Sequence, residues 1–154
     1  MNYIEFTNKS LMLPKSSFIA TIQAVADKND LYTEIMTKLN FPIYFGQNWD
    51  ALDDCFRDFC WIDSDNIIII HEGIVLLSEH DLNLYLSSVV DCIAFWHNQS
   101  EIEKHKIANQ RAEYGYSAPL HHVWFVFQEA ERERIVNILQ KWIKLRDYSF
   151  LKLL

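Results

Sequence analysis

Four aspartates crowd one short stretch of the chain. Asp50, Asp53, Asp54 and Asp58 fall within the thirteen residues from Asn48 to Cys60, and Arg57 is the only cation among them. Carboxylates at such spacing invite three readings. Asp50 and Asp54 could serve as general acid and base, if unequal environments in a pocket held their proton affinities apart. They could meet the cations of a basic partner through charge-assisted hydrogen bonds. They could also be an ordinary solvated helix face, with Asp50 serving only the helix dipole.

Other reactive groups narrow the choice. Cys55 lies inside the acidic stretch, but no histidine adjoins it to draw off its proton, so it reads as a small packed residue. The six histidines are His71, His80, His97, His105, His121 and His122. None has metalloprotease spacing, and adjacent His121 and His122 on a strand would point to opposite faces. With only three glycines there is no glycine-rich phosphate loop, and there is no G-x-S-x-G elbow. The expectation is a binding protein without metal or cofactor, not an enzyme.

The aspartates need an element to position them. Pro42 disfavours helix at Phe41, so a preceding helix should stop about there. Gly46 is expected to take a backbone geometry that other residues enter at a cost. Asn48 is a good N-cap. Trp49, Leu52, Phe56 and Phe59 then repeat at helical spacing, predicting a helix to about Cys60 with one apolar stripe. Asp50, Asp53, Asp54, Arg57 and Asp58 should fan out over its other side. Asp50 and Asp54 are neighbours one turn apart, and their repulsion gives the helix no reason to keep both.

The rest of the chain supplies the frame. Asn2 to Phe6 reads as a short β segment, with Leu11–Leu13 pairing back as a hairpin. Phe18 to Val25 is β-rich and reads as a strand, although its short pattern would also suit an amphipathic helix, and Asp30 should cap a helix over Leu31 to Leu39. Ile67–Ile70 within Asn66 to His71 has no polar alternation, as in a central parallel strand covered on both faces. A helix is expected from Ser78 or Asp81 to Trp96, then polar sequence over 97–120 with an irregular stretch at Tyr114–Pro119. His122 to Phe127 is a further strand and Glu129 to Arg146 a final amphipathic helix. The apolar tail Tyr148–Leu154 should dock on the body or meet a second copy of the chain. Strands alternating with helices predict an α/β fold with a small parallel sheet.

At 154 residues with 50% hydrophobic side chains, one domain with a sizeable core is expected. Net charge is −7, which argues against direct nucleic-acid binding and suits a basic protein partner. Three cysteines, an odd number without a C-x-x-C pair, suggest reduced thiols. No signal-like start and no membrane-length apolar run is present, so the cytoplasm is the expected location.

The run Phe41-Pro42, Tyr44-Phe45-Gly46, Asn48-Trp49-Asp50-Ala51-Leu52 and Asp54-Cys55 closely resembles the signature of the barstar family, whose members inhibit ribonucleases. The resemblance implies three parallel strands with helices packed on them, spanning about 18–127. Residues 1–15 and 129–154 would be additions within one domain of 154 residues. It implies toxin immunity: a 1:1 complex with a cognate basic ribonuclease. The partner-binding surface would be Tyr44, Phe45, Gly46, Asn48, Trp49, Asp50, Asp53, Asp54, Arg57 and Asp58. Two positions depart from barstar, where Asp53 is aromatic and Trp49 aliphatic. Barstar also uses a glutamate on a later helix, for which Asp91 is the candidate here. The alternative is a scaffold or regulatory domain that keeps the fold without binding a nuclease.

Overall fold

A computed structural model describes residues 3–9, 11–109 and 119–153. Four strands, β1 (Ile4–Thr7), β2 (Ser17–Ile22), β3 (Asn66–His71) and β4 (His122–Gln128), form one parallel sheet in the order β1-β4-β3-β2. Four helices connect or follow them: α1 (Lys28–Lys38), α2 (Trp49–Phe56), α3 (Glu79–Asn109) and α4 (Arg132–Leu145). A 3-10 turn, Glu129–Glu131, leads into α4.

The isoleucine run is the centre of the sheet. Ile67, Ile68 and Ile69 are fully buried, and β3 pairs with β2 on one side and β4 on the other. Beneath the helices, the strand residues Ile67, Ile69, Val123, Phe125 and Phe127 meet Leu31, Ile35, Leu52, Phe56, Leu86, Val89, Ile135 and Leu139 in one core. His71 is buried there too. Its Nδ1 donates to the Val126 carbonyl (2.9 Å), so its Nε2 accepts from the Tyr85 hydroxyl (2.6 Å). Burial lowers its pKa from 6.5 to about 4.

The sheet has four strands rather than three. The N-terminal segment does not fold back on Leu11–Leu13; β1 runs parallel to β4, with Ile4 beside Phe125 and Phe6 beside Phe127. A lone hairpin buries little, whereas the free edge of β4 offers backbone partners and a wall of aromatic side chains. The two terminal segments therefore meet. Tyr3 of the first segment bonds His97 (2.9 Å), and Phe150 of the tail stacks on the same imidazole (4.0 Å between centroids). Leu151 is buried and Tyr148 reaches Asp91 (3.2 Å), so the tail docks on its own body.

Helix ends differ from expectation in three places. Asp27, not Asp30, caps α1, its carboxylate accepting from the amides of Asn29 (2.9 Å) and Asp30 (3.0 Å). Asp30 sits in the first turn and reaches back to Ala26. α2 stops at Phe56, because Phe59 swings into the core with a left-handed backbone (φ 46°). α3 does not stop at Trp96 but runs on to Asn109. Its polar second half is helix rather than a loop; the sequence there has no proline or glycine, and Glu101 pairs with Lys104 at 2.8 Å. Of the irregular stretch expected at Tyr114–Pro119, residues 114–118 lie outside the described residues.

Candidate functional site

The site begins where α1 ends. Asn40 takes a left-handed conformation (φ 52°), and the amide of Phe41 bonds the Met36 carbonyl (2.9 Å), a Schellman closure with asparagine in the usual glycine place. The Trp61 indole takes the Leu39 carbonyl (2.8 Å). A tight turn follows, closed by the Phe45 amide on the Pro42 carbonyl (3.0 Å). Phe41 and Phe45 turn inward, 5.0 Å apart edge to face, and Ile43 and Tyr44 are left on the outside.

Gly46 is not the residue in the unusual backbone region; Gln47 is, at φ 46°. A Cβ at Gly46 would sit 3.1 Å from the Asn48 side-chain nitrogen, a tight contact that would press on the cap. That nitrogen donates to the Gly46 carbonyl (3.2 Å), while the Asn48 oxygen accepts from the Ala51 amide (2.8 Å). One asparagine thus folds the bend and starts α2. Its loss typically costs about 1 kcal/mol of stability.

α2 is pinned from behind. Leu52 and Phe56 are fully buried and Cys55 nearly so. The Phe56 carbonyl, orphaned at the helix end, accepts from the Trp96 indole (2.8 Å) and the Cys92 thiol (3.4 Å) of α3. Trp49 leans on Tyr32 (5.0 Å) and Tyr85 (6.5 Å). Burial, with Asp58 and then Asp54 adding to it, pushes the Cys55 thiol up to about 11, which leaves it protonated and poorly nucleophilic.

The four aspartates part company. Asp50, Asp54 and Asp58 are exposed. Asp53 is not on their arc. It is half-buried on the flank toward α3, 3.9 Å from Arg57, with one carboxylate oxygen buried and without a partner. Asp91 faces that flank from α3, where the charges of Asp53 and Arg57 both act on it. Its own carboxylate is taken up by Arg146 (2.9 Å) and the Tyr148 hydroxyl. Burial raises its pKa, and Arg146 and Tyr148 only partly offset the rise. Asp91 is therefore an internal tie to the C-terminal segment rather than a free acid.

Of the ten residues expected to meet a partner, Tyr44, Gly46, Asn48, Asp50, Asp54, Arg57 and Asp58 are exposed. Phe45 is a core residue, Trp49 is half-buried, and Asp53 faces a neighbouring helix. Ile43, beside Tyr44 in the turn, is exposed as well. Nothing here resembles a metal centre; among the described residues no three His, Cys, Asp or Glu side chains gather. His121 is buried, donating from Nδ1 to the Ser64 carbonyl (2.9 Å), and His122 beside it is exposed.

A family model described as "Barstar (barnase inhibitor)" matches residues 16–110. The match takes in β2, α1, the bend, α2, β3 and α3, and leaves β1, β4 and α4 outside. Comparison with curated proteins and with solved structures returns no match. With well over half of the chain inside that match, and with the bend and capped acidic helix built as described, the chain belongs to the barstar family.

Proposed function

We propose that this protein inhibits a ribonuclease by laying the outer arc of α2 over the enzyme's active site. The observation that carries the reading is the placement of Asp50 and Asp54. Both are exposed, one turn apart, on a helix fixed by its cap, its buried stripe and the bonds from Trp96 and Cys92. A ribonuclease holds phosphates with arginine, lysine and histidine. Rigid carboxylates can take those positions with charge-assisted, often bidentate, bonds. Rigidity matters because the cost of ordering the contact is met before binding.

The family's described role is that of an inhibitor rather than an enzyme. The partner would be a basic nuclease toxin, bound 1:1, with the chain acting as one unit in the cytoplasm of the cell it protects. No described helix is long and apolar enough to cross a membrane. The tail side chains that could have recruited a second copy are packed on the chain's own body, which favours the 1:1 complex.

The test is an RNA-cleavage assay against a panel of small basic ribonucleases, barnase included. At least one should lose activity at equimolar inhibitor. Its association should slow markedly as salt rises, while dissociation changes less, because charge steers the encounter. Full cleavage by every enzyme in the presence of excess protein would refute the reading.

A further inference from the structure

The turn before α2 carries something that the acidic helix does not explain. Ile43 is fully exposed (104%) and Tyr44 largely so (73%). They are the two central residues of the turn closed by Phe45 and Pro42. Central turn positions suit proline, glycine, asparagine, aspartate and serine, and a β-branched isoleucine is a poor choice there. Neither local conformation nor burial asks for it. A lone exposed apolar residue is ordinary on a protein surface. This one has an exposed aromatic neighbour and is held from both sides.

The anchors on either side are the reason. Phe41 and Phe45 are each only 8% exposed. Phe41 also meets Trp61 (5.7 Å) and Phe56 (6.3 Å), and Phe45 meets Tyr32 (6.2 Å). The two outward side chains are therefore presented between two rings locked in the core. Tyr44 also adjoins an acid. The Tyr44 phenol is held up first by partial desolvation and then by the charge of Asp58. Tyr44 therefore lies close to Asp58, the exposed acid just past the end of α2.

We infer that Ile43, with Tyr44, is a second contact element that selects the partner: an apolar tip that seats in a non-polar recess beside the nuclease's phosphate-binding centre. The inference rests on the inhibitory reading above. A nuclease with polar or cationic groups at that recess would still attract the acids, but it would have to strip water from them to admit the tip. The ridge thus governs encounter, and the tip governs how long the accepted partner stays.

The probe is the first ribonuclease inhibited in the panel above, and the readout is association and dissociation rates by stopped flow. Ile43→Ala should speed dissociation about tenfold and leave association and its salt dependence unchanged. Ile43→Asp should weaken binding by at least about a hundredfold, although its added negative charge favours a cationic enzyme. Both variants should melt with the parent, since the side chain is exposed. Ile43→Asp binding as tightly as the parent, while Asp54→Ala loses binding, would overturn the tip and leave the ridge standing. A fall in melting temperature for Ile43→Ala that tracks its loss of affinity would assign Ile43 to the fold and also overturn the tip. If no enzyme in the panel is inhibited, or Asp54→Ala binds normally, the inhibitory reading falls and the tip with it.

Discussion

The two sides of α2 use the same residue type for opposite ends. On the outer side Asp50 and Asp54 are exposed, and among the described residues no basic side chain is paired with them. On the flank, one residue away, Asp53 is drawn into a polar seam between α2 and α3, with Arg57 and Asp91 about it and Arg146 and Tyr148 beyond. Deeper still, the Tyr85 hydroxyl bonds His71. Outside, charge costs the fold little and is free to act on a partner. Inside, every charge or polar group must find a partner or cost stability. An acid's position on the helix, not its chemistry, decides whether it meets solvent or the rest of the fold.

The comparison breaks most sharply at Asp54. Its removal would leave cations of the nuclease buried without a counter-charge, which typically costs about 2–5 kcal/mol of binding. An exposed acid contributes no more than about 0.5 kcal/mol to folding. Asp54→Ala should therefore nearly abolish inhibition of RNA cleavage and leave the melting curve unmoved. A variant that inhibits as well as the parent would show that α2 is not the contact helix.

The interior side is probed by acid. His71 is neutral in the folded protein, with its pKa held at about 4 against 6.5 in the unfolded chain. Its contribution is fully present above pH 6.5 and is lost as pH falls toward 4, because the unfolded state takes up the proton first. From this residue alone, unfolding free energy should drop by roughly 2 kcal/mol between about pH 7 and about pH 5. Urea denaturation at the two pH values measures the drop. His71→Gln should be less stable at neutral pH and less sensitive to acid across that interval. Equal pH sensitivity in parent and variant would mean that His71 titrates freely.

The smallest effect is expected at Asp53, which sharpens the contrast with its neighbour. Its pair with Arg57 is long and partly exposed, and such pairs contribute about 0–1 kcal/mol. Losing the pair is offset by losing a buried oxygen that has no partner. Asp53→Ala should change both inhibition and stability by no more than about 0.5 kcal/mol. A large loss of inhibition would return Asp53 to the contact surface.

Much of this was legible in the chain alone. The Asn48 cap, the Leu31–Ile35–Leu39 stripe, the buried isoleucine run and the α/β alternation follow from local rules: capping, helical and strand periodicity, the geometry around proline. Each depends on residues a few positions apart, so a sequence displays it directly. The acidic stretch was equally visible, and its resemblance to barstar-like inhibitors agrees with the family match over 16–110.

Tertiary structure decided what depends on distant partners. β1 joined β4 because a free strand edge more than a hundred residues away offered it hydrogen bonds and aromatic side chains. Phe45 went inside, where Tyr32 and Phe41 meet its ring, and Ile43 stayed outside. Asp53 and Asp54 are adjacent in the chain and about 100° apart on the helix. Only the arrival of α3 on one flank turned that angle into a difference of surroundings. Spacing along a chain states which side chains share a face; it cannot state what the fold will bring against that face.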